Sequence, residues 1–503
     1  MRRIHHPAIA GTAALTLALA ACGSGDDGDG GGEGAGKDTI SWMSVVHTPT
    51  TPETDGVIES ALQDYTGKEI EFQWVPAANA DEKINSALAS DSLPDLVDLG
   101  NITNTTVRQA MTQGQFWEVE EFLSEFDNLS QISPETIESA KINGTLYGVP
   151  KQKPMARYGV LVRQDWLDNL GLDVPHTIED LTEVAIAFAE DDPDGNGEDD
   201  TTGFYDREES FQLGFRSLAG YFGAGQRFEV NDAGEVIPSF TTDAWKEAME
   251  WYRGLYEKGA INKEFVTLQK QNQYDGIYQG KGGIVVTGLF EARGFYEGGL
   301  AADPDTTMDW ALINDMTYED VPRRILTDTN GGMGGWYAIP RSTVETEDEV
   351  REVLGFVDSL LDEEPFTLMT NGIEDEHFEF DDDGVVSILD QTKWEQEVQP
   401  FSSSRPSDLV ITFPSAQPYV DLGNELMEEN AEHAVLNPAQ SLTSETFDSR
   451  WSVIEQQAND AYNQYMMGQI DMEQYEATID ALGGEGLDQI VAEFTEAYDE
   501  ANG

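Results

Sequence analysis

The chain has 503 residues, more than one core usually supports, so two lobes are expected. Its 28 Lys and Arg face 96 Asp and Glu, and the resulting net charge of −68 repels phosphate backbones and excludes nucleic-acid binding by charge. One Cys and six His exclude a disulfide framework and a thiolate cluster, while 39 % hydrophobic residues suffice for a large folded core.

Met1-Arg2-Arg3 and the small, apolar run Ala8–Ala21 have the make-up of a secretory signal peptide, assigned to residues 1–21. The run is too short for a comfortable transmembrane helix. Leu19-Ala20-Ala21-Cys22 resembles the bacterial lipobox, whose cysteine is acylated and becomes the mature N-terminus. That resemblance implies anchoring through Cys22 at the extracellular face of the cell membrane, with the lipid as the only hold on the bilayer. Gly23–Gly36 is almost wholly Gly, Ser, Asp and Glu, so residues 22–37 form the lipidated Cys and a flexible linker.

The body then alternates. Thr39–Val46, Glu69–Trp74 and Pro94–Leu99 read as strands, with helices over Gly56–Tyr65 and Asp81–Ala89 between them. Strand–helix–strand repeats indicate an α/β fold with helical crossovers. Thr177 and Asp180 suggest a capping box, followed by an apolar face of Leu181, Val184, Ala185 and Phe188. Trp245, Ala248, Met249, Tyr252 and Leu255 form a second such stripe, and the last hundred residues carry further helical stripes.

Asp192, Asp194, Asn196, Glu198 and Asp200 place oxygen ligands at every second residue, with Gly197 at the sixth position for a sharp turn. Hard cations want six to eight such oxygens, so a structural Ca²⁺ is expected, Glu198 contributing its backbone carbonyl. The twelfth position is Gly203 where a bidentate Glu would complete a sensor loop, which favours a static ion.

Catalytic motifs are missing: no G-x-S-x-G elbow, H-E-x-x-H helix or phosphate-binding loop occurs. With 96 acidic residues some carboxylate pair is always available, so none argues for hydrolysis. The reading is therefore not an enzyme.

Several phrases occur in an order that is similar to the bacterial extracellular solute-binding proteins, the family-1 sugar-binding lipoproteins of ABC importers. They are Asn143–Pro150 (NGTLYGVP), Tyr158–Leu172 with its RQDWLDNLGL, Thr177–Leu181, Gly276–Gly288, Gly334–Pro340, and the ending Met467–Asp471 through Gly486–Gln489. The resemblance covers nearly all of the mature chain. It implies a two-lobed periplasmic-binding-protein-like fold of type II, a hinge between lobes and a helical C-terminal extension. It also implies a monomer that captures a carbohydrate, most naturally an oligosaccharide, and delivers it to a membrane permease. Members related to alginate-type oligosaccharide binders carry a calcium loop of the Asp192–Asp200 kind. Matching phrases put the crossings near Pro150–Pro154, Gly288–Arg293 and Gly335–Ile339. One lobe is then 38–151 plus 291–335, the other 152–290 plus 336–503. The alternatives are a cell-surface hydrolase acting on polysaccharide and a binder of a non-sugar solute.

Open α/β sheets bind at the carboxyl ends of their strands. On that rule His47 and Thr48 follow the first strand, Asn101 and Asn104 the third, and Glu209 and Phe211 the strand Thr202–Tyr205. The resemblance adds Lys153 and Arg157 past the first crossing, and Phe290 where sugar-binding relatives commonly stack a tryptophan. Glu291 lies beside it, and Trp336 sits at the third crossing.

Overall fold

A computed structural model describes residues 37–47 and 51–502. The signal peptide, Cys22, the Gly-rich leash and Thr48 lie outside the described residues. β1 (Thr39–Val46) runs parallel to β2 (Glu69–Pro76), with Trp42 opposite Phe72, and to β3 (Leu96–Leu99). The helix Val57–Thr66 between the first two buries Ile58 and Leu62 against the sheet. It stops at Gly67, whose φ of +65° is the left-handed exit that glycine takes without a Cβ penalty.

Along the chain there follow β4 (Val149–Gln152), β5 (Tyr158–Arg163), β6 (Thr202–Phe204), the hairpin β7 (Phe228–Val230) and β8 (Val236–Pro238), and β9 (Gly282–Gly288). Then come β10 (Trp310–Ile313), β11 (Ile325–Leu326), β12 (Met333–Ala338), the hairpin β13 (Phe378–Phe380) and β14 (Val386–Ile388), and β15 (Ala434–Val435). They assemble two main sheets, ordered β2-β1-β3-β12-β4 and β10-β5-β9-β6. Each carries its own core. Trp42, Phe116, Trp336, Tyr337 and Leu354 are buried around the first, and Trp166, Phe188, Phe215, Tyr252 and Tyr462 around the second.

The helix Asp243–Glu257 shows how the pattern becomes packing. Thr242 Oγ1 accepts from Trp245 N and starts it, and Trp245, Ala248, Met249, Tyr252 and Leu255 all face the second core. Each large side chain so buried contributes roughly 1.5–3 kcal/mol. The terminal helices Glu445–Met466, Met472–Leu482 and Asp488–Asn502 pack on the same core through Trp451, Ile454, Tyr462, Ile490 and Phe494. They are the C-terminal extension.

Two lobes with a helical extension is the architecture expected, but the expected division of the later chain is corrected. Residues from 291 to Leu326 stay with the second sheet, because β10 pairs antiparallel to β5 with Trp310 opposite Arg163. The return comes later, between Leu326 and Met333, where β12 inserts between β3 and β4 with Trp336 opposite both Leu99 and Pro150. The chain then remains with the first core through Phe401 and goes back for the terminal helices. A four-residue antiparallel edge strand such as Trp310–Ile313 has too little length to reveal its partner in sequence.

Candidate functional site

Between the lobes lies a cavity of about 390 Å³. The first crossing supplies Pro154 and Arg157, the end of β9 supplies Phe290 and Arg293, and the helix Gln391–Glu397 supplies Gln391 and Trp394. The extended chain from Arg405 to Gln417 and the helix Val420–Glu429 close it, with Asp408, Phe413 and Asn424.

Its polar groups hold one another in place. Arg157 N and Nε donate to the two oxygens of Asp328 at 2.7 and 2.8 Å, and its guanidinium lies 5.2 Å from the Phe290 ring centre. Lys153 Nζ and Arg405 Nη2 share Asp408, at 2.7 Å to Oδ2 and 3.1 Å to Oδ1. Arg405 Nη1 also donates to Thr370 Oγ1 at 2.6 Å, and Trp394 Nε1 to Thr370 O at 3.1 Å. Arg293 Nη2 donates to Gln391 Oε1 at 3.2 Å. Burial lowers Lys153 and Arg405 from their ordinary pKa values. Burial would raise Asp408, but Lys153 and Arg405 outweigh it and hold that carboxyl below its ordinary value. The result is a groove with aromatic faces and a rim of fixed donors, suited to rings edged with hydroxyls or carboxylates.

The acidic loop is wound by its own side chains. Gly197 N donates to Asp192 Oδ2 at 3.0 Å, and Asn196 N and Nδ2 donate to the two oxygens of Asp194 at 3.2 and 2.9 Å. Asn196 Nδ2 also reaches Asp200 Oδ1 at 3.3 Å, and Glu198 N donates to Asn196 Oδ1 at 2.6 Å. Burial first, then the neighbouring Asp192 and Asp200, raise the Asp194 carboxyl above its ordinary value. At the twelfth position a Cβ on Gly203 would stand 2.4 Å from Ala185 O, so no glutamate fits there.

The sequence from residue 48 to 364 matches the family model of the bacterial extracellular solute-binding proteins. The chain belongs to that family. It is 32 % identical to the polygalacturonan/rhamnogalacturonan-binding protein YtcQ of Bacillus subtilis, over 93 % of both chains. It is 30 % identical to the lipoprotein LipO of the same organism, over 92 % of both. Among solved structures, the S. pneumoniae ABC-transporter substrate-binding protein FusA, as an EF-hand mutant with fructo-nystose, superposes with a TM-score of 0.67 at 19 % identity. That alignment covers 92 % of this chain and 99 % of FusA, and shows a shared fold.

In this solute-binding protein the expected residues fall into three groups. Arg157 and Phe290 line the groove, Phe290 with 46 % of its surface exposed, and Lys153 reaches its edge through Asp408. His47 follows β1 within electrostatic reach of Lys151, Asp98 and Lys153, and burial followed by Lys151 lowers its pKa. The others point elsewhere. Asn101 Nδ2 donates to Asp81 Oδ2 at 2.7 Å, Glu209 Oε2 accepts from Arg207 Nε at 2.6 Å, and Glu291 takes the Tyr274 hydroxyl.

Two expectations are corrected outright. Phe211 is 4 % exposed, packed between Trp245 and Tyr462 in the second core, so its face is not open to a ligand. Trp336 is 2 % exposed in the middle of the first sheet, with Nε1 donating to Ala140 O at 2.8 Å. Sequence reasoning missed Trp394, Arg405, Asp408 and Phe413. The Pro-punctuated stretch Arg405–Pro418, with a single aromatic at Phe413, was the available signal.

Glu376, His377 and Glu397 bring three potential metal ligands within 4.8 Å of one another. However, His377 Nδ1 accepts from Ile373 N, so Nε2 carries the proton and donates to Glu397, while Glu376 pairs with Lys393 at 2.8 Å. The group is a structural brace. A larger recess of about 1220 Å³ lies between the β7–β8 hairpin and the last two helices, and it holds none of the expected ligand residues.

Proposed function

We propose that this protein captures an oligosaccharide outside the cell and delivers it to the permease of an ABC importer, binding without turnover. The observation that carries the reading is the interlobe groove, with Phe290 and Trp394 as ring platforms among fixed arginine and amide donors. It sits in a chain that aligns over 93 % of its length with YtcQ, a protein named for binding a carbohydrate. Acylation of Cys22 would hold it at the outer face of the membrane as a monomer, in keeping with its similarity to the lipoprotein LipO. Among the described residues no helix is long and apolar enough to cross a membrane. Asp192, Asp194, Asn196, Asp200 and the Glu198 carbonyl would bind Ca²⁺ in a structural role. The EF-hand named in the FusA structure and the inward turn of this loop support that reading.

The test is a thermal-shift screen of residues 38–503 against an oligosaccharide panel, with the sugars analysed afterwards. One sugar should raise the melting temperature as RT ln(1 + [L]/Kd) and be recovered intact. Cleaved product, or a shift with peptides alone, would refute sugar capture.

A further inference from the structure

The recess of about 1220 Å³ on the terminal helices has a construction that sugar capture does not call for. The helix Met472–Leu482 turns Tyr475 and Ile479 into it, four residues apart and so on one face. The next helix, Asp488–Asn502, does the same at that spacing with Leu487 just before its start, Val491 and Thr495. Gly486, at φ +127°, makes the turn between the two helices that a residue with a Cβ would resist. The third wall is β8 with the residues after it, Ile237, Pro238 and Phe240. Tyr475 Oη donates to Phe240 O at 3.0 Å and Val236 N donates to Thr495 Oγ1 at 2.9 Å, so both helices are fixed to that wall. The groove is preformed. Phe240, Tyr475, Ile479 and Leu487 are its buried floor, Ile237 and Val491 are half-buried, and Ala492 is exposed.

Acidic rows run beside the apolar ones. On the first helix Glu476 and Asp480 follow Tyr475 and Ile479 by one position each. On the second, Asp488, Ala492, Glu496 and Glu500 recur every four residues beside Leu487, Val491 and Thr495. In all, seven carboxylates and one lysine line the recess, and that lysine, Lys246, is already paired with Asp243 and Glu476 at 2.8 and 3.0 Å. The chain as a whole has 96 acidic to 28 basic residues, and the interlobe groove has the reverse balance, three arginines to one aspartate. The rim is thus more one-sided than the composition requires. Glu496 and Glu500 also line a second recess, of about 900 Å³, with Glu138, Glu445 and Glu493, which extends the negative field past the end of the last helix.

We infer that this recess is a docking surface for a partner protein, which it takes as an amphipathic helix with a basic polar face. Helix-in-groove recognition needs an apolar trough that receives side chains at i, i+3, i+4 and i+7, and a rim that pairs with the flanking charges. Small-molecule clefts run to about 300–1,000 Å³, so the occupant is larger than one small solute. The rim repels an anionic membrane surface. A second copy does not supply the partner either: among the described residues no helix carries more than two Lys or Arg, the number in Asp243–Glu257. The leash Gly23–Gly36 has none. The recess shares no residue with the interlobe groove, so the inference stands apart from the sugar-capture reading.

The test titrates the purified mature protein with two synthetic Leu/Lys peptides of one composition, one patterned as an amphipathic helix and one scrambled to destroy the stripe. The patterned peptide should bind one-to-one and at least about tenfold tighter, the scale of one leucine side chain buried. Ala492→Glu puts a larger, charged side chain into the exposed row and should bring the patterned peptide down to the level of the scrambled one, with the melting temperature unchanged. Its added carboxylate would strengthen a purely electrostatic contact, so the loss reports the blocked trough. Should that variant not fold, Asp480→Lys with Glu496→Lys, both exposed and outside any ion pair among the described residues, should weaken the patterned peptide at least about tenfold. Equal binding of the two peptides, a preference that survives Ala492→Glu, or no binding of either overturns the inference. Displacement of the patterned peptide by equimolar spermine would make the recess a small-cation site and overturns it too. So does self-association of the protein that Ala492→Glu abolishes, which would make a second copy the occupant.

Discussion

Lys153 Nζ donates to Asp408 Oδ2 at 2.7 Å across 255 residues of chain. Beside this pair, Gln152 N donates to Pro406 O and Asp408 N to Gln152 O, both at 2.9 Å, so the stretch around Asp408 is bound to the end of β4. The contact therefore fixes one wall of the groove to the first crossing. Asp408→Asn leaves Lys153 and Arg405 facing each other without their shared anion, and should cost roughly 1.5–3 kcal/mol in urea unfolding. Because its carboxyl is held below the ordinary value, the contribution is complete above that value and is lost as pH falls through the lowered one. An unfolding midpoint equal to the parent's at neutral pH would show that the pair contributes nothing.

How much of this could be read beforehand depended on length and periodicity. β1, β2 and the crossover between them were legible because eight-residue strands and a ten-residue helix bury regular faces. The stripe from Trp245 to Leu255 was equally plain. β10 and β12 were not, since the sheet joined by so short a strand is decided by register with Arg163 or Leu99, far away in sequence. The groove was the least legible part. Arg157, Phe290, Trp394 and Asp408 come from four separated segments, two of them without helical or strand period. Phe211 and Trp336 failed for the opposite reason: aromatic residues near crossings look alike in sequence whether they face a ligand or a core.

Phe211 and Phe290 allow that distinction to be measured. Phe211→Ala removes a ring packed on Trp245 and Tyr462 and should lower stability by about 3–5 kcal/mol. Phe290→Ala removes a half-exposed ring under Arg157 and should leave the melting temperature nearly unchanged. It should instead weaken sugar binding by about 1–2 kcal/mol, five- to thirtyfold. Calorimetry of both variants with and without ligand separates the outcomes, and the reverse pattern would move the site away from Phe290.

Glu493 gives the terminal helices a pH signature. Burial would raise this carboxyl, but donors from Ser444, Gln489 and Thr446 outweigh it and hold it at about 2. Two of these contacts, Thr446 N at 3.1 Å and Thr446 Oγ1 at 2.8 Å, lie in the first turn of the helix Glu445–Met466, where the helix dipole also favours a negative charge. The folded pKa is depressed, so the stabilisation is complete above the ordinary carboxylate value of 4.5 and is lost as pH falls towards 2. Glu493→Gln should be less stable than the parent at pH 6, with the difference shrinking steadily at pH 4 and pH 3. A constant difference across that series would assign the effect to packing instead of charge.

The acidic loop makes two opposite demands on one residue. Without an ion, Asp194 is crowded by Asp192 and Asp200, and its raised pKa means that stability falls as pH rises through its titration, since the unfolded chain gives up that proton sooner. With Ca²⁺ bound, the same three carboxylates would become ligands and the repulsion would turn into attraction. Calcium at a hundredfold excess over its Kd should therefore raise stability by about 2.7 kcal/mol, reversibly with a chelator. Asp194→Asn should stabilise the ion-free protein at neutral pH by relieving the crowding, and at the same time abolish most of the calcium shift. Glu198→Gln should do neither, because that position contributes a backbone carbonyl and its side chain is exposed. A calcium shift unaltered in Asp194→Asn would mean that the ion binds elsewhere. An ion-free Asp194→Asn protein less stable than the parent would mean that the hydrogen bonds from Asn196 outweigh the repulsion, and that the loop is held together by its own side chains.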